Sequence, residues 1–123
     1  MGTTPKRTLG DRGEEAAFAH LARLGYRVLA RNLRFGRDEL DGVALDGRTL
    51  CFVEVKSAGA DSPFDPEAHF TPRKRKALLR AAHRYLQDRR LDPAAVETRV
   101  DVVAVRLGNG PPAVRLYKEA LRA

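Results

Sequence analysis

Asp41, Glu54 and Lys56 lie in two stretches, DELDGVAL and TLCFVEVK, whose other residues are mostly apolar. Charged groups in such strands are costly unless something pairs with them or uses them. If Asp46-Gly47 forms a two-residue turn between the stretches, Leu45 pairs with Arg48, Val43 with Leu50, Asp41 with Phe52 and Glu39 with Glu54. Side chains alternate faces along a strand, so Asp41, Glu54 and Lys56 project from one face. Asp41 and Glu54 become diagonal neighbours, roughly 5–8 Å apart at Cβ. Two carboxylates this close repel unless a cation or a proton intervenes. A hard divalent ion, Mg²⁺ or Mn²⁺, accepts one or two carboxylates plus water and phosphate oxygens. The Val55 carbonyl offers one more oxygen. Such an ion activates water and stabilises charge at phosphorus. Lys56 would orient or deprotonate that water, or neutralise the developing charge.

A second acid fits the same picture. Residues 11–24 read as a helix, with Thr8 or Asp11 as cap and Gly25 as stop. Ala17, Phe18, Leu21 and Leu24 share its apolar face, and Glu14 falls inside that stripe. Beside a metal site Glu14 has a partner; elsewhere it is a buried acid without reason. The competing reading is plainer: Glu54 and Lys56 form a same-face ion pair on an exposed strand, since Glu-x-Lys alone is common by chance.

The elements that must position these residues follow from periodicity and punctuation. YRVLARNLRF, ELDGVAL and TLCFVEVK read as strands. SAGADSPFDPEAH reads as a loop, a flap at about 57–70. TPRKRKALLRAAHRYLQD reads as a helix with Thr71 as N-cap and Pro72 at its first position. Its inner face is Leu78, Leu79, Ala82, Tyr85 and Leu86; Arg73, Lys76, Arg80 and Arg84 face away. RVDVVAVRL is a strand buried on both sides. AVRLYKEALRA starts as a strand and is expected to end as a helical turn. The expected fold is one α/β domain at 9–121 after a loose tail at 1–8, in the order α-β-β-β-α-β-β. Its central mixed sheet is flanked by helices.

Charge narrows the partner. The 123 residues hold 23 basic and 16 acidic side chains, net +7. Residues 16–37 carry five Arg and no acid, and residues 73–90 carry eight Lys or Arg against Asp88 alone. A polyanion is the expected partner; an Arg-biased genome is the bland alternative. Arg73, Lys74, Lys76, Arg80 and Arg84 are the candidate phosphate contacts, with Arg73 and Lys74 at a helix N-terminus. No apolar run spans a bilayer, and the polar start MGTTPKRTLGDRGEE is not read as a secretory signal. The single Cys51 cannot build a disulfide framework or a zinc site, so a reducing cytoplasm is expected. His20, His69 and His83 are scattered and read as surface or flap residues. Asp101 inside an apolar strand either pairs with an Arg or supports the site from behind.

LGDRGEEAAFAHLARLGYRVLARN, DELDGVAL, CFVEVK, PRKRKALLRAAHRYL and RVDVVAV, in that order, resemble the YraN-like family of small bacterial proteins. That family is placed in the PD-(D/E)xK nuclease superfamily, with a restriction-endonuclease-like fold akin to Holliday-junction resolvases. The resemblance covers residues 9–121. It implies Asp41 as the acidic metal ligand, Glu54 and Lys56 as the E-x-K pair, Glu14 as the helix-one acid and Lys74 as the lysine opening helix two. The family's R-F-D strand appears as Arg99-Val100-Asp101. Departures are Asp38 for Gly, Gly42 for a large apolar residue, and Ser57-Ala58 where a second basic residue is usual. The implied activity is Mg²⁺-dependent cleavage of DNA, branched DNA included. RNA is not separated from DNA by sequence, and a non-catalytic nucleic-acid-binding module on the same fold is the alternative. A two-fold homodimer is the oligomer expected.

Overall fold

A computed structural model describes residues 9–63 and 71–121. The element order is α1 (Leu9–Arg23), β1 (Arg27–Phe35), β2 (Asp38–Asp46), β3 (Thr49–Gly59), α2 (Pro72–Asp88), β4 (Thr98–Leu107) and β5 (Ala113–Leu121). The strands form one sheet in the order β1-β2-β3-β4-β5. Only β3 and β4 run parallel, because α2 carries the chain back across the sheet between them; the other neighbours are antiparallel. This is the mixed α/β sheet expected from the sequence. No helix among the described residues is long and apolar enough to cross a membrane.

Each face of the sheet carries its own core. Leu40, Val43, Leu50, Phe52 and Val100 pack under Leu78, Ala81, Ala82, Tyr85 and Leu86 of α2. The Phe52 and Tyr85 rings meet edge to face at 5.9 Å. On the opposite face Ala44, Cys51, Val53, Val103 and Val105 pack with Ala17, Phe18 and Leu21 of α1 and with Tyr26. Burying each large apolar side chain is worth about 1.5–3 kcal/mol, so the two helices clamp the central strands from both sides. β4 is buried from Val100 through Val105, as its nearly continuous apolar run, broken only by Asp101, implies.

The helix ends follow local chemistry. Gly25, at φ 93°, takes the left-handed conformation that closes α1. The helix stops at Arg23, so Leu24 leaves the apolar stripe and is 54% exposed, contrary to expectation. Thr71 Oγ1 accepts from the Lys74 amide at 3.2 Å and Pro72 opens α2. Ala81 belongs to the buried face of α2, whereas Leu79 is half-buried.

Three expectations are corrected. The β2–β3 turn centres on Gly47-Arg48, not Asp46-Gly47: Asp46 pairs with Thr49, Leu45 with Leu50 and Val43 with Phe52. Gly47 sits at φ 62°, a first turn position that glycine fills at little cost. β3 continues through Ser57 to Gly59, so the loop starts later than expected; residues 64–70, with His69, and the tail at 1–8 lie outside the described residues. β5 remains a strand to Leu121, with an irregularity between the pairs Val102↔Tyr117 and Val100↔Leu121. There the Glu119 amide, at φ 53°, donates to Asp101 Oδ1 at 3.1 Å. This tertiary bond overrides the helical preference of the tail.

Candidate functional site

The corrected register moves Asp41 from diagonal to opposite. The ladder between β2 and β3 runs from Asp46↔Thr49 to Gly42↔Val53; continued by one residue it sets Asp41 beside Glu54, and both line one hollow. The Val55 amide, one residue on, donates to Asp41 Oδ2 at 2.7 Å. The Asp41 side chain thereby serves as an acceptor for a β3 backbone group. The turn correction is an even shift, so face parity survives and Asp41, Glu54 and Lys56 project together toward α2.

Glu54 is only 8% exposed. Its Oε1 lies 3.1 Å from Lys74 Nζ and 3.4 Å from Lys56 Nζ. Lys74 therefore belongs to the site as well as to the helix N-terminus. Burial drives the Asp41 pKa up to about 7, and the Glu54 charge and a hydrogen bond between the two carboxyls push the same way. The Val55 N–H opposes this, and Glu14 adds a smaller upward push. Burial and the neighbouring Lys74 hold the Lys56 pKa below the ordinary lysine value, against the pull of Glu54. Burial also disfavours the Lys74 charge, but hydrogen bonding to Lys56 and attraction to Glu54 outweigh it and raise its pKa. Of the two lysines, Lys56 is therefore the one nearer to giving up its proton.

The resulting hollow, about 230 Å³, is lined by Arg37, Asp38, Glu39, Asp41, Glu54, Lys74, Ala77 and Leu78. A larger concavity of about 480 Å³ lies between α1 and the β4–β5 turn, lined by Arg12, Glu15, Leu107 and Pro111 among others. It gathers no pair of buried acids, so convergent chemistry and not size marks the site.

Glu14 comes from the other layer. Oriented with its nitrogen toward the carboxylate, the Asn32 amide donates to Glu14 Oε2 at 3.0 Å and Oε1 at 3.3 Å. Asn32, at φ 53°, is a left-handed residue inside β1. The sequence reading missed it. Its signal was an asparagine interrupting a strand run, since Asn tolerates that conformation better than most residues. Among the described residues, no three His, Cys, Asp or Glu side chains already stand as a metal-binding group. Asp41 and Glu54 are the two carboxylates of the hollow, an oxygen pair of the kind that suits Mg²⁺ with water and phosphate completing its shell.

The basic residues of α2 divide. Arg80 Nε and Nη2 donate to both Asp38 oxygens at 3.0 and 2.9 Å, and Arg84 pairs with Asp88 at 3.3 Å. Arg73 and Lys76 stand exposed. The hydrogen bonds from Arg80 hold the Asp38 carboxyl below the usual range. Asp38 thus ties the start of β2 to α2. At Gly42 an added Cβ would lie 2.4 Å from the Phe18 ring, which Arg31 covers from 4.5 Å. Phe18 fills the space that a side chain at position 42 would need.

Asp101 does not back the site. It pairs with Val53, on the α1 face opposite Glu54. Fully buried, it accepts from Arg99 Nε at 2.8 Å, Tyr26 Oη at 3.0 Å and the Glu119 amide. Arg99 also reaches Asp46 at 2.8 Å. Asp101 therefore pairs with an arginine, one of the two roles open to it from sequence.

The family described as "Uncharacterised protein family UPF0102" matches residues 13–105, three quarters of the chain. The chain belongs to the UPF0102 family. A UPF0102 protein of Chlorobaculum parvum is 48% identical over 101 residues, spanning 82% of this chain and 77% of that protein. One from Chlorobium limicola is 43% identical over 98 residues, 80% and 74% of the two chains. Another from Syntrophus aciditrophicus is 40% identical over 111 residues, 90% and 86%. The UPF0102 match encloses Glu14, Asp41, Glu54, Lys56 and Lys74.

Proposed function

We propose that this UPF0102 protein is a Mg²⁺- or Mn²⁺-dependent endonuclease acting on DNA, branched DNA included. One observation carries the reading: two acids, Asp41 and Glu54, line one hollow, with two lysines on the Glu54 carboxylate. Asp41 is held partly protonated by burial and by Glu54, a frustration that a dication would relieve. Asp41, Glu54 and the Val55 carbonyl would hold the ion, which supplies water activation and charge neutralisation at phosphorus when bound. Glu14, held by Asn32, adds negative potential from α1.

In this reading Lys56, the lysine with the lowered pKa, takes the proton of the attacking water. The water oxygen bonds to phosphorus, one P–O ester bond breaks, and the departing oxygen is protonated from solvent. Lys74 turns from Glu54 to the phosphate oxygens at the N-terminus of α2. Arg73 and Lys76 hold the strand by its backbone, while Arg80 and Arg84 exchange their carboxylates for phosphates or stay structural.

A second reading has an observation of its own. Lys56 and Lys74 already neutralise Glu54, so the hollow can stand without a cation and the protein can bind nucleic acid without cutting it. One experiment separates the two. The protein and Glu54→Ala are incubated with linear, single-stranded, flapped and four-way-junction DNA in Mg²⁺, Mn²⁺ or EDTA. Cleavage that EDTA and the substitution both abolish supports the enzyme. Binding without cleavage under every metal supports the module.

A further inference from the structure

The sheet face that carries Glu54 continues beyond it. The strand register carries its face across β4 to the edge strand: Glu54 pairs with Val102 and Val102 with Tyr117, while Lys56 pairs with Ala104 and Ala104 with Arg115. Side chains on register partners share a face, so Tyr117 and Arg115 lie on the same side of the sheet as Glu54 and Lys56. Here α2 packs over β1 and β2. A groove of about 250 Å³, lined by Ala104, Arg106, Ala113, Arg115 and Tyr117, fills this part of the face. That is below the roughly 300–1,000 Å³ of a whole small-molecule pocket, a size suited to part of a polymer.

Its walls differ in kind. Arg106 Nη1 donates to the carbonyls of Ala60 and Ser62, pinning the turn after β3 against the groove. Arg115 is exposed and has no carboxylate partner among the described residues. Tyr117 is half-buried and lines the groove. Ala104 and Ala113 leave the floor low between them. Two strand spacings separate Tyr117 from Glu54, about 10 Å, a reach that an unpaired strand covers in a few nucleotides.

We propose that this groove receives an unpaired nucleic-acid flank beside the scissile phosphate, with Arg115 on a backbone phosphate and Tyr117 stacked on a base. The proposal rests on the nucleic-acid reading above and names its substrate: a strand that is single-stranded within a few nucleotides of the cut. Stacking demands an unpaired base, whereas a phosphate contact alone would not. Arg115 and Tyr117 lie beyond the residues 13–105 that match the family, and of the groove's lining only Ala104 falls within that match.

The test measures anisotropy of a fluorescein-labelled mixed-sequence single strand, and of the same strand in duplex, with the full chain in EDTA. Arg115→Gln is expected to weaken single-strand binding and lower the salt slope by about 0.7. Tyr117→Leu is expected to weaken single-strand binding about five- to 150-fold and spare the duplex, while Tyr117→Phe keeps wild-type affinity. Melting curves check that each variant folds. Arg115→Gln with wild-type affinity and slope overturns the proposal, as does Tyr117→Leu acting equally on single strand and duplex, or a wild-type protein that binds neither. Cleavage in Mg²⁺ is scored separately. If the wild type never cuts but binding depends on Arg115 and Tyr117, the nuclease reading fails and the groove stands. If it cuts and both variants bind and cut like wild type, the groove fails alone.

Discussion

A carboxyl with a raised folded-state pKa binds more protons folded than unfolded, so its contribution to stability falls as pH rises. Asp41 titrates near 7 in the folded chain against about 3.9 in an unfolded one. Its burial therefore costs little near pH 4, and the cost grows by on the order of 1.4 kcal/mol for each pH step of one up to pH 7. Asp38 and Asp46 are displaced the other way, by hydrogen bonds from Arg80 and from Arg99 with Lys118. Their support is lost only on acidification below the ordinary carboxylate range, so it does not mask this window. The wild type should lose melting temperature between pH 5 and pH 8 relative to Asp41→Asn, which lacks the titration. Parallel melting curves for the two proteins would remove Asp41 as the frustrated group. Mg²⁺ at pH 8 should restore the lost stability, by about 2.7 kcal/mol at a hundredfold excess over Kd, and Glu54→Ala should abolish that gain.

At the scale of elements, the site depends on two close approaches made by glycines. An added Cβ at Gly13 would fall 1.6 Å from Ser57 Oγ and 2.6 Å from its Cβ, which no rotation of so short a side chain relieves. Gly13→Ala should push the start of α1 off β3 and carry Glu14 away from Asn32. A loss of about 1–3 kcal/mol is expected, with cleavage reduced beyond what melting explains. A Gly13→Ala protein of unchanged stability and activity would show that α1 does not position Glu14. Gly42→Ala meets the Phe18 ring at 2.4 Å, and Phe18→Leu should recover part of its stability. These approaches show which parts of the fold were legible. Periodicity fixed the order of elements, and the alternation in DELDGVAL and TLCFVEVK put three charges on one face even though the turn was misplaced by one residue. An even register error keeps every side chain on its face. What composition could not reveal was tertiary: Lys74 folding onto Glu54, Asn32 reaching Glu14, Arg80 holding Asp38, and the Glu119 amide pulled to Asp101. Each joins residues far apart in the chain or bends a local preference.

At the scale of the whole molecule, the sheet separates two jobs. The α2 face carries the acids, the lysines and the groove; the α1 face carries the buried network of Asp101, Arg99, Tyr26 and Asp46. Burial pushes the Tyr26 hydroxyl well above its ordinary pKa, with the Asp101 charge adding to it. The same network keeps the neighbouring Cys51 thiol protonated, its pKa pushed up to about 12 first by burial and then by Asp101. Removing one member of a buried ionic network leaves the others unpaired, at about 3–5 kcal/mol. Asp101→Ala should therefore lower the melting temperature sharply. Because Asp101 sits beside Val53 on the α1 face and not on the face of Glu54, the surviving folded fraction should keep its Mg²⁺-induced stabilisation and its activity per folded molecule. Glu54→Gln relieves Asp41 of a repelling charge but leaves Lys56 and Lys74 without their carboxylate, so whatever its melting temperature it should show no stabilisation by Mg²⁺. Melting each variant with and without Mg²⁺ reads both effects at once. An Asp101→Ala protein that folds but no longer responds to the ion would mean that the two faces are coupled through β3, and the division of labour across the sheet would be wrong.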